Sequence, residues 1–308
     1  MEPTIDWSPP IPVSEKRDIN SLKYKLIETS KFSDILFANI RSLRSNFNDL
    51  IELIQLLNHK FTAIILNETW LELDEHYLFN IEGYDTYSVP RNKYGGGVLI
   101  YIKQSLSTSQ INPLSFISST FESLFITVNI NSVQLTIGTV YRPPNNSRNL
   151  TAFHEEFKTS ILNKLPSNDA IICGDFNLDL HSNSSNQINH FVTDMSSHGF
   201  SNSITQSTRI RYDEYGNILS STLIDHIWST LPNIEFSFVL DYQLTDHFPI
   251  GCVLNIPRSN DLKIIRKRQI SDQKIKGFQE EFMKFYNNFK IQGSVHEIFL
   301  LVYITLNY

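Results

Sequence analysis

The stretch "AIICGDFNLDL", residues 170–180, runs four apolar positions into a glycine and then places Asp175, Asn177 and Asp179 on alternate positions. A short apolar run that ends at glycine is typical of a buried strand followed by a turn. Asp and Asn are common turn formers, so the stretch fits an ordinary turn. It fits equally well a strand that delivers acids to a reaction centre.

Other apolar runs and helical patterns surround this strand. "ILFAN" (35–39), an amphipathic pattern over 46–59 with Ser45 or Asn46 as N-cap, and "TAIILNE" (62–68) predict a strand, helix, strand unit. Further elements are predicted as a hairpin turning at 131–132, helices near 150–165 and 186–197, and strands near 222–228, 234–240 and 248–255. A strand, helix, strand unit predicts parallel neighbours and a hairpin predicts antiparallel ones. Together with the helices they predict a mixed α/β arrangement.

Composition excludes several classes of protein. The net charge of −6 argues against a chain that holds nucleic acid mainly through a basic surface. No apolar run reaches the roughly 18 to 20 residues of a membrane span, and the acidic start lacks the blocks of a signal peptide. Only Cys173 and Cys252 occur, which predicts a reduced intracellular protein without a disulfide framework or a cysteine zinc site.

Residues able to coordinate or to hydrogen-bond follow the predicted strands repeatedly. They are Asn39, Glu68, Tyr141, Asp175, Asn177 and Asp225. Thr245, Asp246 and His247 precede the predicted strand "FPIGCVL" and could border the same edge. Because α/β sheets bind ligands beyond the carboxyl ends of their strands, we expect these side chains to converge on one pocket.

The residue types of this set limit the reaction. Carboxylates with Asn, one His and no thiolate make an oxygen-rich site suited to Mg²⁺, with Mn²⁺ as an alternative. An ion there would neutralise a phosphate oxygen while a carboxylate takes a proton from water and an imidazole stabilises the developing charge. The predicted chemistry is hydrolysis of a phosphoester.

Competing catalytic motifs are absent from the sequence. None of the nine histidines lies in an HExxH arrangement, and no GxSxG elbow occurs. The glycines of "YGGGVLIYIK" (94–103) lack the following Lys and Ser or Thr of a phosphate-binding loop. They predict a tight turn into a strand, because glycine accepts the positive φ values of such a turn.

The ordered motifs "FANIRSL", "ILNETWL", "GGGVLIYI", "GTVYRPPN", "CGDFNLDL", "LIDHIW" and "LTDHFPI" resemble the endonuclease/exonuclease/phosphatase superfamily over about residues 34–256. The "RSL", "YRPP" and "TDH" variants are most similar to the endonuclease domain of non-LTR retrotransposons of the LINE and jockey kind. That domain is itself related to apurinic/apyrimidinic endonucleases. The resemblance implies a four-layered α/β sandwich with two mixed, mainly antiparallel sheets face to face and helices outside.

The resemblance also implies a role for each matched residue. Glu68 would hold the divalent ion with Asn39 beside it. Asp175 would activate water, Asn177 would position phosphate or water, and Tyr141 would contact the scissile phosphate. His247, oriented by Asp225, would stabilise the pentacovalent phosphate, and Asp246 would help with metal or leaving-group chemistry.

Substrate contacts are expected from Arg142, Thr208 and Thr245, although a plain polar loop position is an alternative reading of Thr208. DNA is the expected partner, with no membrane and no small-molecule cofactor, and the site of action would be nuclear. Basic side chains that could track DNA phosphates are Arg41, Arg44, Arg91, Lys93, Arg142, Arg209 and Arg211.

Three domains or segments are predicted: a loosely ordered N-terminal segment (1–33), the catalytic domain (34–256) and a basic, partly helical segment (257–308). The last resembles the start of a linker to a reverse transcriptase, but no YxDD or FxDD-like signature occurs. Arg41 also stands where repair-type relatives carry an acid. We therefore expect an endonuclease module from a truncated retroelement.

The expected function is a Mg²⁺-dependent endonuclease that nicks DNA for target-primed reverse transcription. Two alternatives stay open. One is a phosphoesterase of the same superfamily that acts on another phosphate ester. The other is a catalytically silent relic that acts at most as a binding module.

Overall fold

Two mixed β-sheets with helices on their outer faces build the described part of the chain, residues 14–144, 150–182 and 186–258, in the computed structural model. The strands are β1 (Glu15–Arg17), β2 (Phe32–Asn39), β3 (Ala63–Asn67), β4 (Tyr84–Val89), β5 (Val98–Lys103), β6 (Ser107–Gln110), β7 (Phe116–Ile117), β8 (Glu122–Ile130), β9 (Val133–Tyr141), β10 (Asp169–Asp175), β11 (Ser201–Asn202), β12 (Arg209–Tyr212), β13 (Ile218–Thr222), β14 (Asp225–Ser229), β15 (Ile234–Leu240) and β16 (Ile250–Pro257). The α-helices are α1 (Ile19–Glu28), α2 (Leu43–Leu57), α3 (Leu150–Ser160) and α4 (Asn186–Ser197), and short 3-10 helices cover Glu75–Leu78, Asn112–Leu114 and Leu162–Lys164.

Both large sheets are mixed and mainly antiparallel. The first has the strand order β1-β15-β16-β2-β3-β5-β4, with parallel pairs only between β1 and β15 and between β2 and β3. The second has the order β11-β14-β10-β9-β8-β6, with β7 also paired to β8 and with one parallel pair, β9 with β10. Strands β12 and β13 form a separate hairpin.

The two sheets face each other across a buried core. Alternate residues of the central strands point into it, such as Phe37 and Ile65 from the first sheet and Ile126 and Ile137 from the second. This period of two is the pattern of a strand that buries one face against a partner sheet. The opposite faces are also buried, because helices cover them.

Helices complete the outer layers. Leu50, Leu53 and Leu57 of α2 pack on the first sheet, and Phe153 of α3 and Phe191 of α4 pack on the second. Spacings of three and four residues place such side chains on one helical face. The predicted four-layered α/β sandwich is thereby confirmed.

The start of α2 differs from the prediction. The helix begins at Leu43, and the Ser42 side chain caps it by accepting a hydrogen bond from the backbone N–H of Ser45. The N-cap is thus Ser42 and not Ser45 or Asn46. The apolar pattern hid this start, because the first turn carries Arg44 and Ser45.

Within the N-terminal segment expected to be loosely ordered, residues 14–33 contain β1, α1 and the start of β2. Asp18 caps α1 by accepting hydrogen bonds from two backbone N–H groups, and Leu22 and Leu26 are fully buried against the first sheet. Two apolar residues one turn apart are a weak sequence pattern for a helix. They are enough to hold α1 in place because a sheet face is available to bury them. Residues 1–13 and 259–308 lie outside the described residues.

Among the described residues, no helix has the length and apolarity required to cross a bilayer.

The expected hairpin at 131–132 is confirmed, because Asn131 and Ser132 both have positive φ between β8 and β9. The predicted tight glycine turn is confirmed as well, since Gly96 (φ +69°) and Gly97 (φ +84°) lead directly into β5.

Candidate active site

Strand ends from both sheets meet at one edge of the sandwich. Tyr141 at the end of β9 and Asp225 at the start of β14 are both register partners of Asp175 at the end of β10. In the facing sheet, Asn39 ends β2 opposite Asn67 of β3. Asp225 begins a strand instead of ending one, and the antiparallel pairing with β10 still brings it to this edge.

A small cleft of about 170 Å³ opens between these strand ends. The residues that line it are Arg41, Glu68, Tyr141, Pro144, Asp175, Asn177, Arg209 and His247. Side chains from six widely separated parts of the sequence therefore share one concave site, as the predicted convergence requires.

His247 and Asp225 form a buried pair beside the cleft. His247 Nδ1 lies 2.9 Å from Asp225 Oδ2 and 3.1 Å from Oδ1, and both residues are buried. Burial by itself would lower the pKa of His247, but the charge of Asp225 and its hydrogen bond raise this pKa to about 9. The pair therefore holds a positively charged imidazole in a fixed orientation at neutral pH.

Asp175 is the most deeply buried carboxylate of the cleft. Its Oδ2 accepts a hydrogen bond from Asn39 Nδ2 (2.9 Å), and its Oδ1 accepts one from the backbone N–H of Asn177 (3.0 Å). Burial, with a smaller contribution from the nearby Asp225 charge, raises the pKa of Asp175 to about 7. A carboxylate with such a pKa is a competent proton acceptor near neutral pH.

Glu68 extends from the loop after β3, where its backbone adopts a positive φ of 55°. Asn39 Nδ2 donates to its Oε1 (2.9 Å), and Trp70 Nε1 donates to its Oε2 (3.1 Å). The Asn39 amide nitrogen thus bridges Glu68 and Asp175, while its oxygen accepts a hydrogen bond from the Arg41 N–H (3.3 Å). Two donors and a strained backbone fix the Glu68 carboxylate at the cleft.

The donor set fits a hard divalent cation. Glu68 and Asp175 supply carboxylate oxygens on either side of Asn39, which is the ligand chemistry of Mg²⁺. A second grouping, Asp175, Asp225 and His247, has donor atoms within 4.8 Å of one another. His247 Nδ1 already donates to Asp225. In both groupings the carboxylate oxygens are therefore better cation ligands than His247 Nδ1.

Asn177 sits in the turn after Asp175 with a positive φ of 48°. Its Nδ2 donates to the backbone oxygen of Arg142 (2.7 Å), and the Arg142 N–H donates to the backbone oxygen of Asp175 (2.9 Å). These bonds hold the β9 and β10 ends together beneath the cleft. The stretch "GDFNLD" therefore forms a turn, and the same turn places Asp175 at the cleft. Both interpretations of the stretch agree with this geometry.

Two expected substrate contacts are placed away from the cleft surface. The Arg142 guanidinium is buried, donates to the backbone oxygen of Asn177 (3.1 Å) and lies over the Phe153 ring. The Thr208 hydroxyl is fully buried and accepts hydrogen bonds from the N–H groups of Ile224 and Asp225. Both side chains therefore point inward in this structure, and their expected contact with substrate stays a prediction.

Thr245 also bonds within the protein. Its hydroxyl donates to the backbone oxygen of Asn39 (3.0 Å) and accepts from the N–H of His247 (3.1 Å). The residue therefore links the end of β2 to the loop that carries His247.

Asp246 lies between two arginines. Its Oδ1 accepts from Arg41 Nη1 (2.7 Å), and its Oδ2 accepts from Arg209 Nε (2.8 Å). Partial burial would raise the pKa of Asp246, but the hydrogen bond from Arg41 and the charges of His247 and Arg209 lower it to about 2. The carboxylate is thus ionised, and both of its oxygens are occupied by guanidinium groups that line the cleft.

One buried ion pair was missed at the sequence level. Glu122 is 1% exposed, and its Oε1 lies 2.7 Å from Arg91 Nη1 while its other oxygen accepts from the Gly97 N–H. The Arg91 guanidinium also lies 6.0 Å from the centre of the Tyr141 ring. An isolated acid in the apolar strand "FESLFITV" was the available signal, because such an acid needs a buried partner.

The remaining basic candidates are arranged differently. Arg44 Nη1 donates to the backbone oxygen of Trp70 (2.7 Å), and Arg44 Nη2 pairs with the Glu75 carboxylate. Lys93 and Arg211 are exposed. Arg41 and Arg209 are thus the two basic candidates, within the described residues, that line the cleft itself.

The sandwich and its acid-lined cleft define a phosphoesterase fold. The chain belongs to the Endonuclease/Exonuclease/phosphatase family, whose model matches residues 36–248. Members of this family are hydrolases that act on phosphate esters. A comparison with curated protein sequences gave no match.

Solved structures with this fold include enzymes of several specificities. The endonuclease domain of TRAS1, a telomere-specific non-LTR retrotransposon, is 15% identical with a TM-score of 0.57, covering 73% of this chain and 99% of that one. An AP endonuclease from Archaeoglobus fulgidus is 17% identical (TM-score 0.53, 73% and 100% covered). A mannosyl-6-phosphatase from Bacteroides thetaiotaomicron is 15% identical (TM-score 0.52, 71% and 98% covered). At these identities the likeness concerns the fold.

Proposed function

We propose that this chain is a Mg²⁺-dependent endonuclease that nicks one strand of DNA by hydrolysing a phosphodiester. The observation that carries the proposal is the arrangement of Asp175 and the His247–Asp225 pair around one cleft with Glu68. A proton acceptor, a fixed positive charge and an oxygen ligand for a cation are the three parts that phosphodiester hydrolysis needs.

Asp175 is the proposed general base. Its pKa of about 7 leaves it able to accept the proton of an attacking water while remaining largely ionised in mildly alkaline solution. Asn177, held at the same turn, would orient the phosphate or the water. Asn39 donates to Asp175 and would keep the carboxylate in one orientation throughout.

His247 and Tyr141 are proposed to stabilise the charge that develops on the phosphate oxygens. The imidazolium, oriented by Asp225, supplies a hydrogen-bond donor and a positive charge from a buried position. Burial also raises the pKa of Tyr141 above its usual value, so its hydroxyl keeps its proton and can donate. Mg²⁺ held by Glu68, with Asn39 beside it, would supply further neutralisation of phosphate charge.

Arg41 and Arg209 are proposed to bind substrate phosphates. Asp246 occupies one or two N–H groups of each guanidinium, and each has further donors available at the cleft rim. Asp246 would then act through these two arginines. An acidic chain can bind DNA in this way, because local arginines supply the phosphate contacts.

The retrotransposon-like motifs and the fold shared with the TRAS1 endonuclease domain support DNA as the substrate and a nuclear site of action. A second candidate is a phosphoesterase that acts on another phosphate ester. The fold shared with the mannosyl-6-phosphatase favours it, since one fold can host several substrates.

Side-by-side assays separate the two candidates. The native chain is incubated with supercoiled plasmid or with a sugar phosphate monoester, in Mg²⁺ and in excess chelator, and nicked circles and released phosphate are measured. We expect Mg²⁺-dependent nicks with 3′-hydroxyl ends that a DNA polymerase extends. Phosphate release from the monoester without nicking would favour the second candidate.

A further inference from the structure

The short strand β1, together with Ser14 before it, lies outside residues 36–248 that the family model matches. It forms the edge of the first sheet and runs parallel to β15. The register pairs are Glu15 with Phe238, Lys16 with Val239 and Arg17 with Leu240. The strand therefore ends where β15 passes into residues 241–249, the loop that carries His247.

Ser14 contacts a second loop, residues 203–208, between β11 and β12. Its hydroxyl accepts hydrogen bonds from the backbone N–H groups of Thr205 (2.8 Å) and Gln206 (3.2 Å), and its own N–H donates to Thr205 Oγ1 (3.2 Å). Ser14 is 1% exposed, although Thr205 and Gln206 are exposed. A buried serine thus supplies hydrogen bonds to the two exposed residues of this loop.

Residues 241–249 are held by Lys16 and Arg17 of β1. The Asp241 N–H donates to the backbone oxygen of Arg17 (2.7 Å). Lys16 Nζ lies 3.0 Å from Asp241 Oδ1 and 4.6 Å from the centre of the Phe248 ring. The contacts therefore flank His247 on both sides along the chain.

The two loops meet at the buried Asp225–His247 pair. The Phe248 N–H donates to the backbone oxygen of Thr208 (2.7 Å), which joins the loops directly. The Thr208 hydroxyl accepts from the N–H of Asp225 (3.1 Å), whose carboxylate holds His247 Nδ1. A displacement of either loop would consequently change the distance between Asp225 and His247.

We infer that β1 with Ser14 is a positioning element for the Asp225–His247 pair, and that this chain needs it for full turnover. None of its residues lines the cleft. It acts by fixing residues 203–208 and 241–249, because a catalytic pair tolerates little displacement. The kinetic part of this inference rests on the proposed endonuclease function.

Two variants test it, each on one loop. Ser14→Ala removes the acceptor for residues 205 and 206, and Lys16→Gln removes the ion pair with Asp241 and the contact with Phe248. The matched control is Asp18→Ala, which removes the N-cap of α1 and leaves both loops in place. Plasmid nicking, thermal unfolding and the NMR resonance of the His247 Nδ1 proton are measured on the full chain.

We expect Ser14→Ala to lower kcat about tenfold with an unchanged KM, Lys16→Gln to lower it less, and both to shift the Nδ1 proton resonance. Asp18→Ala should lower the unfolding temperature by about 2 to 4 °C without changing kcat or the resonance. An unshifted resonance in both test variants would overturn the inference, even if the native chain does not nick DNA. If all three variants lose kcat, and the loss in each simply follows the decrease in its unfolding temperature, the inference would be overturned as well.

Discussion

His247 Nδ1, in the loop before β16 of the first sheet, lies 2.9 Å from Asp225 Oδ2 at the start of β14 in the second sheet, and both side chains are at most about one-twentieth exposed. Because the pair is buried, the charge of Asp225 acts on the imidazole with little screening by solvent. The pair therefore controls whether His247 is positively charged in the pH range where the enzyme would work.

Asp225→Asn is expected to lower the pKa of His247 from about 9 towards its ordinary value of about 6.5, since only the charges of Asp175 and Asp246 then oppose burial. Catalysis by the imidazolium is present below the pKa of His247 and is lost as the pH rises through it. The alkaline limb of the pH–rate profile for nicking should thus move to lower pH, by at most about two units. An alkaline limb that stays near pH 9 in the variant would show that His247 is not the group that titrates.

Glu68→Gln tests the proposed ligand of the cation. The substitution removes the negative charge and keeps the size of the side chain, so Mg²⁺ affinity should fall at least about tenfold. Titration calorimetry measures the affinity directly, without dependence on activity. Glu72→Gln, on the exposed segment that follows, is the matched control. Equal affinities in the native chain and both variants would exclude Glu68 as a ligand.

Asp246→Asn separates two roles for this carboxylate. If Asp246 positions Arg41 and Arg209, the loss of its charge should weaken binding of a short DNA duplex about tenfold in the presence of chelator. Fluorescence anisotropy at fixed ionic strength measures this change. Unchanged binding together with a lower kcat would instead favour the metal or leaving-group role that the family resemblance implies.

His226 provides a test of the fold that is independent of catalysis. It is fully buried, stacks on Phe176 and accepts a hydrogen bond from Trp228 Nε1 (3.3 Å). Burial lowers its pKa to about 4, so the folded state resists a proton that the unfolded chain binds below about pH 6.5. Its contribution to stability is present above that pH and is lost as the pH falls towards 4.

Protonation of buried His226 between about pH 6.5 and pH 4 should cost at most about 3 kcal/mol of unfolding free energy. Urea unfolding at pH 7 and pH 4.5 should show a smaller acid-side decrease for His226→Gln than for the native chain. His190→Gln, at an exposed position of α4, should behave like the native chain. The same acid-side decrease in all three proteins would contradict the burial of a neutral His226.

Much of the site could be predicted because strand ends are legible in a sequence. Apolar runs of four or five residues located Asn39, Glu68 and Asp175, and the rule that ligands bind beyond strand ends brought them together. Asp225 lies at the same edge for a different reason, since it begins an antiparallel strand whose start is paired with the end of β10.

Side-chain direction could not be predicted in the same way. Arg142 follows Tyr141 in sequence and Thr208 contacts Asp225, yet both side chains turn inward because buried backbone groups need partners there. The partners of Asp246 were hidden for another reason. Arg41 is 205 positions away in sequence, and pairing at that distance is set by the tertiary fold.

The N-terminal element was missed because its signal is short. Leu22 and Leu26 are its two fully buried apolar residues, and a strand of three residues carries no period. Its order comes from the edge of β15 and the open face of the first sheet, and neither is visible until the sheet is assembled.

Nicking of supercoiled plasmid by the native chain and by Asp175→Ala, in Mg²⁺ at pH 8, tests the central claim most directly. Asp49→Ala, an exposed aspartate on α2, serves as the matched control, and circular dichroism establishes that all three chains are folded. We predict that Asp175→Ala lowers the nicking rate by about 10³-fold or more while Asp49→Ala leaves it unchanged. A folded Asp175→Ala variant that nicks as fast as the native chain would contradict the proposed function.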